Sequence, residues 1–298
     1  MTNPDRTGTA ILLSLLALVL FDLMGLIIKH LSVSYSAAEL SAWRNLFGLV
    51  PAFVALWSAR AWRQGVRNWH ISQWPLACAR GFIVTFAQFL FYLSLGHMAF
   101  ATASTITYAN ALFMTALAVP LLGEKVGWVR WSAVLLGFAG VMLVMGPGRE
   151  TFAPIALAPL GAAFLYALAG VTARRIDASH STALVNLYSA GVALVTATAL
   201  ALVMGGFSAI NSWEDFGWIM TMGGLGGTAV LCLVASYRMT EQSNLAPFSY
   251  FGIPIAFVMG WITFDEAPFQ DLFPGALLIA AGGLMVIWRE RRLNRHSA

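Results

Sequence analysis

Charge is what this chain has least of. Charged residues make up 10% of its 298 positions, and only thirteen of them are Asp or Glu. That is too few to solvate the surface of an ordinary globular domain. The two cysteines, Cys78 and Cys232, fit neither a metal-binding spacing nor a disulfide framework and read as small buried apolar residues. No GxxxxGK[ST] phosphate loop occurs, and connections of four to seventeen residues between apolar runs leave no room for a nucleotide-binding domain, so direct ATP drive is excluded. No HExxH, no GxSxG and no paired intramembrane aspartates occur, so a membrane-embedded enzyme is a remote alternative without a catalytic constellation. Nothing calls for a cofactor or a metal. The N-terminus MTNPDRTGTA lacks a charged n-region and a cleavage site, so the first apolar run reads as a retained helix.

What the chain has instead is hydrophobic length. Hydrophobic residues make up 59% and the mean hydropathy is +0.76. Ten runs near the ~20 residues needed to cross a bilayer can be marked: 10–31, 37–57, 75–96, 101–122, 129–147, 154–173, 182–204, 214–236, 246–264 and 273–289. The reading is an all-α integral membrane protein with ten transmembrane helices.

Its second half repeats the first at a shift of 142 residues. GEKVGWVRWSAVLLGFAGVMLVMGP from Gly123 lies over DEAPFQDLFPGALLIAAGGLMVIWR from Asp265, which aligns Glu124 with Glu266 and Gly140 with Gly282. Carried upstream, the shift pairs Gly81 with Gly223, Ser94 with Ser236 and Tyr108 with Tyr250. A unit of five spans inverts its second copy. The expectation is two inverted five-helix repeats, 1–148 and 149–298, around a central cavity.

Topology follows from the basic residues. With the N-terminus inside, thirteen Lys and Arg fall on one face, including Arg60, Arg63, Arg67, Arg174, Arg175 and the tail WRERRLNRHSA, while the opposite loops carry only Arg149. Both termini are therefore expected in the cytoplasm. The tail is read as a topology anchor in contact with lipid rather than a nucleic-acid tract. Tryptophans at or near span ends supply an interfacial belt, and the Trp- and Arg-rich loop ARAWRQGVRNWHISQWP is read as lying along the interface.

The segment GEKVGWVRWSAVLLGFAGVMLVMGPG, together with ELSAWRNLFGLVPAF and RGFIVTFAQFLFYLSLGHMAFATASTITYANALFMTALAVPLLGE, resembles the ten-helix EamA-type branch of the drug/metabolite transporter superfamily. The resemblance implies a cavity lined by spans one, three, four, six, eight and nine, with spans five and ten peripheral. It also implies export or exchange of small metabolites across a bacterial inner membrane. Aromatic or aliphatic amino acids lead; S-adenosylmethionine, riboflavin or nucleoside-like compounds are the alternative. The partners expected are a small-molecule substrate, lipid and, through Asp22, a proton, with the chain a monomer or weak homodimer.

Ionisable residues inside spans cost about 2.5–3.5 kcal/mol to insert unless paired or wetted. Asp22, Lys29, Arg44 and Arg80 are such residues. Asp22 reads as a substrate contact or proton carrier, against a structural pair with Lys29 or Arg44. Lys29, Arg44 and Arg80 read as structural or snorkelling. Further cavity candidates are Gln88 and Tyr92 on the third span, Tyr108 and Asn110 on the fourth, Tyr166 on the sixth, Ser236 on the eighth and Tyr250 on the ninth, each weighed against ordinary interhelical bonding. Tyr108 and Tyr250, matched by the repeat, are expected to face one central site. Gly223 and Gly227 read as packing or gating glycines, and Pro247 and Pro254 as kinks in the ninth span. Glu124 and Glu266 read as turn elements on opposite faces.

Overall fold

The computed structural model describes residues 4–58, 73–123, 127–145, 154–173, 182–239, 245, 248–266 and 268–294. Among these residues there is no strand. The helices are α1 (Pro4–Leu31), α2 (Ala37–Ser58), α3 (Trp74–Leu95), α4 (Phe100–Thr107), α5 (Asn110–Leu122), α6 (Trp128–Met145), α7 (Leu157–Ala173, preceded by a 3₁₀ turn Pro154–Ala156), α8 (Thr182–Val203), α9 (Trp213–Met239), α10 (Gly252–Phe264), the short α11 (Phe269–Leu272) and α12 (Gly275–Asn294). Among the described residues, six helical stretches are long and apolar enough to cross a membrane: Gly8–Leu31, Trp74–Leu95, Phe100–Leu121, Pro154–Thr172, Leu184–Val203 and Trp213–Ser236.

Local chemistry explains the ends. Ser36 and Glu39 form a reciprocal capping box at the start of α2, the Ser36 N–H donating to Glu39 Oε2 at 2.7 Å and the Glu39 N–H donating to Ser36 Oγ at 3.2 Å. α5 stops at Gly123 with φ +70°, and α10 stops at Asp265 with φ +54°. Both are left-handed stops, and a short polar side chain such as Asp tolerates that region better than most.

Two of the apolar runs are interrupted. The fourth apolar run is two helices, broken at a turn over Tyr108 and Ala109, with no Gly or Pro to mark it. The ninth is interrupted by a turn at Tyr250 and Phe251 before α10 begins. Pro254 lies in the first turn of α10, directly after that interruption, where it has no N–H to carry the helical ladder back to the Tyr250 carbonyl. Pro247, Glu124 and the Trp-rich loop over 59–72 lie outside the described residues.

Packing runs largely between elements far apart in sequence. α1 packs on α9 and α7 on α3; α2 packs on α9 and α8 on α3; α2 meets α8, α4 meets α10, and α6 meets α12. Small residues set the closest approaches. A Cβ on Gly81 would lie 2.3 Å from the Ser189 carbonyl oxygen, and one on Gly223 would lie 2.3 Å from Phe47 Cβ. A Cβ on Gly140 would lie 2.6 Å from Gly275 O, and one on Gly282 would lie 2.6 Å from Ala133 O. Within each couple, one contact becomes the other when its residue numbers are shifted by 142 and the halves exchanged.

Candidate functional site

Asp22 sits mid-way along α1, 5% exposed, and its Oδ2 has no hydrogen-bond partner. A buried carboxylate with nothing to pair it is costly. It is within electrostatic reach of the Tyr108 phenol at the α4–α5 break. That phenol in turn rests on bare backbone: a Cβ on Gly252, the first residue of α10, would fall 1.7 Å from Tyr108 Oη. One turn in the first half thus meets the helix start that follows the matching turn in the second.

A second charge lies near the beginning of α2. Arg44 donates from Nη1 to Asn45 Oδ1 at 3.1 Å, and its Nε is buried without a partner. Its charge is felt at the hydroxyls of Tyr92 and Tyr166. Tyr92 is 1% exposed and its hydroxyl has no partner. Ser104 Oγ and Thr105 Oγ1, on α4, are likewise buried and unpartnered. Tyr92 also belongs to the wall of a cavity of about 200 Å³, formed with Tyr35, Ala38, Phe89, Leu93, His97 and Met204.

The other sequence candidates are placed as follows. Gln88 is buried on α3, its Oε1 accepting from Asn45 Nδ2 at 2.9 Å and from Ser41 Oγ at 3.4 Å, so it ties α3 to α2. Asn110 opens α5, and Tyr166 lies on α7. Ser236 is fully buried on α9 and donates to Leu233 O at 2.7 Å within its own helix. Tyr250 does not mirror Tyr108. Its hydroxyl lies over Gly283 of α12, where a Cβ would fall 1.5 Å away, so the two phenols face different neighbours. Gly223 and Gly227 are close-approach positions against α2, the latter 2.6 Å from Gly48 O when given a Cβ. Arg80 Nη1 donates to Asn186 Oδ1 at 3.3 Å.

Reading the sequence missed an ion pair that joins distant elements. Lys29, near the end of α1, donates to Glu266 Oε1 at 2.6 Å and to Met98 O at 2.8 Å, and lies 5.2 Å from the centroid of the Phe264 ring. Glu266 Oε2 accepts the Phe100 N–H at 3.0 Å, at the start of α4. One ion pair therefore clasps α1, α4 and the turn after α10. Phe100, fully buried, lies below it against Gly25, where a Cβ would fall 2.7 Å from the ring. On the same face, Tyr35 Oη donates to Asp215 Oδ2 at 2.8 Å and accepts from Asn211 N at 3.0 Å, while Glu39 accepts the Ser208 N–H. The one hint in the sequence was a lysine needing a carboxylate near that end of α1.

Comparison with known proteins agrees with this architecture. A solved crystal structure superposes with a TM-score of 0.64 at 21% identity, covering 96% of this chain and 99% of its own, which speaks to the fold. An S-adenosylmethionine uptake transporter of Rickettsia conorii is 25% identical over 285 residues, 94% of this chain and 93% of the relative. The pseudopaline exporter CntI of Pseudomonas aeruginosa is 24% identical over 286 residues, 95% of each. A riboflavin transporter of Vibrio cholerae is 27% identical over 186 residues, 62% of each. The EamA-like transporter family model matches residues 8–146. Over residues 8–146 the chain is thus similar to the EamA-like transporter family, and over nearly its whole length it is similar to proteins named as transporters of small molecules.

Proposed function

We propose that this protein is a secondary transporter in which two inverted five-helix halves, 1–148 and 149–298, rock about a site between Asp22 and Arg44. Its cargo is a small dipolar metabolite: an amino acid with an aromatic or aliphatic side chain, or an amino-acid derivative such as S-adenosylmethionine, the substrate named for relatives that match almost the full length. The observation that carries the reading is Asp22 itself. It is buried without a hydrogen-bond partner for Oδ2 and within reach of the phenol at a broken span. Broken spans at corresponding positions of two halves are where carriers of this kind build their sites. The turns at Tyr108 and Tyr250 correspond under the 142-residue shift.

The inverted repeat is supported by packing that maps onto itself when the halves are exchanged. In the proposed orientation both termini are in the cytoplasm of a bacterium. The Lys29–Glu266 clasp then closes the outer face and opens when the halves rock. Asp22 also carries the coupling proton, alternating between the proton and the cationic group of the substrate. Relatives named for uptake and for export both match nearly the whole chain, in keeping with a carrier whose direction follows its gradients.

The test is a thermal-shift panel of amino acids, S-adenosylmethionine, riboflavin and nucleosides on purified protein. A ligand at 100 times its Kd stabilises the folded state by about 2.7 kcal/mol. The reading expects a hit among the amino acids or S-adenosylmethionine, lost in Asp22→Asn. Hits confined to riboflavin or nucleosides, or hits indifferent to Asp22→Asn, contradict it.

A further inference from the structure

Arg44 was expected to snorkel or to serve as a structural residue. Its Nε is buried and unpartnered, its hydrogen bond is to a neutral amide, and among the described residues no carboxylate pairs with it. The guanidinium has room only because α9 carries no side chain opposite it. A Cβ on Gly226 would fall 2.9 Å from Arg44 Nε, 3.1 Å from Nη2 and 2.6 Å from Met24 Sδ. The glycine run of α9 is therefore a socket at this position as well as a packing surface. Tyr92, whose buried hydroxyl likewise has no partner, walls the cavity already described.

A guanidinium whose Nε–H is buried and unpaired lacks an anion of fork geometry. We propose that Arg44, seated on Gly226, binds the carboxylate of the transported molecule and so selects against otherwise identical molecules that lack it. This rests on the transporter reading above and assigns one end of its substrate. Asp22, buried on α1 with its Oδ2 unpartnered, takes the cationic end. Both charges of the site then find partners only when a dipolar ligand is bound, and an amine without a carboxylate leaves Arg44 buried and unpaired.

Two probe pairs test this: L-phenylalanine against phenethylamine, and S-adenosylmethionine against decarboxylated S-adenosylmethionine. Each is titrated into nanodisc-reconstituted wild type, Arg44→Gln and Gly226→Ala, with folding checked by size exclusion. In the wild type, at least one carboxylate-bearing probe binds about tenfold or more tighter than its partner, as expected of a charge-assisted bidentate contact. In Arg44→Gln that ratio falls to about one while affinity for the decarboxylated probe is kept. Gly226→Ala, which displaces the guanidinium without removing it, lowers the ratio in the same direction and carries the test if Arg44→Gln does not fold. A ratio unchanged in both variants, or both probes weakened equally, overturns the assignment while leaving a working transporter. If the wild type binds none of the four probes, the dipolar-substrate reading falls first and takes this inference with it.

Discussion

Replacing Glu266 with Gln removes one charge from the clasp that ties α1, α4 and the turn after α10, and keeps the size of the side chain. The pair is neither open nor deeply buried: Lys29 and Glu266 side chains are 13% and 29% exposed. Fully exposed pairs contribute about 0–1 kcal/mol, and hydrogen bonds to charged groups about 1.5–3 kcal/mol. Glu266 makes two, to Lys29 and to the Phe100 N–H, and the amide retains part of each. A loss of about 2 kcal/mol is the reasoned figure, which changes a two-state ratio about 30-fold. A face closed 99 times in 100 would then be closed about three times in four. Spin labels at Val33 and Phe269, both exposed, in a background lacking Cys78 and Cys232, report the separation across this face by pulsed electron resonance. The wild type should give one dominant short distance and Glu266→Gln a second, longer population. Lys29→Gln should do the same, and the double variant should add little, because both substitutions remove one interaction. An unchanged distance distribution in Glu266→Gln would mean that the ion pair does not hold this face shut.

Other predictions concern close approaches. Gly252→Ala places a methyl group on Tyr108 Oη, so the phenol must leave; substrate affinity should fall more than thermal stability, by comparison of Kd and melting temperature. Gly140→Leu forces apart α6 and α12 at a backbone contact, and should destabilise the protein by about 1–3 kcal/mol while leaving substrate selectivity alone. Thr85→Ala removes the bond from Thr85 Oγ1 to Ala193 O at 3.2 Å between α3 and α8, and should cost only about 0.6 kcal/mol, the typical figure inside membranes.

The helical elements were legible because membrane insertion demands long apolar runs, and α1, α3, α8 and α9 end within a few residues of where hydropathy places them. The 142-residue shift read in the sequence also pairs the left-handed stops at Gly123 and Asp265. The break at Tyr108–Ala109 was not legible, because no Gly or Pro marks it. Glu266 was discounted as a turn residue because its partner lies 237 residues away, a pairing that only folding reveals. Arg44 was discounted because nothing in α2 announces that α9 leaves it a bare backbone at Gly226. The repeat matched Tyr108 to Tyr250, yet side-chain direction is set by local neighbours, Gly252 for one and Gly283 for the other.

The central claim is that Asp22 lies in the path of the substrate and carries its charge. Counterflow in proteoliposomes measures this most directly, with radiolabelled probe outside, a saturating internal pool of the panel's hit, and external pH varied. The account predicts saturable, trans-stimulated and pH-dependent uptake in the wild type. Asp22→Asn, folded to the same melting temperature, should lose that uptake or its dependence on pH. Equal, equally pH-dependent counterflow through Asp22→Asn, or a current that rises with voltage without saturating, would contradict it.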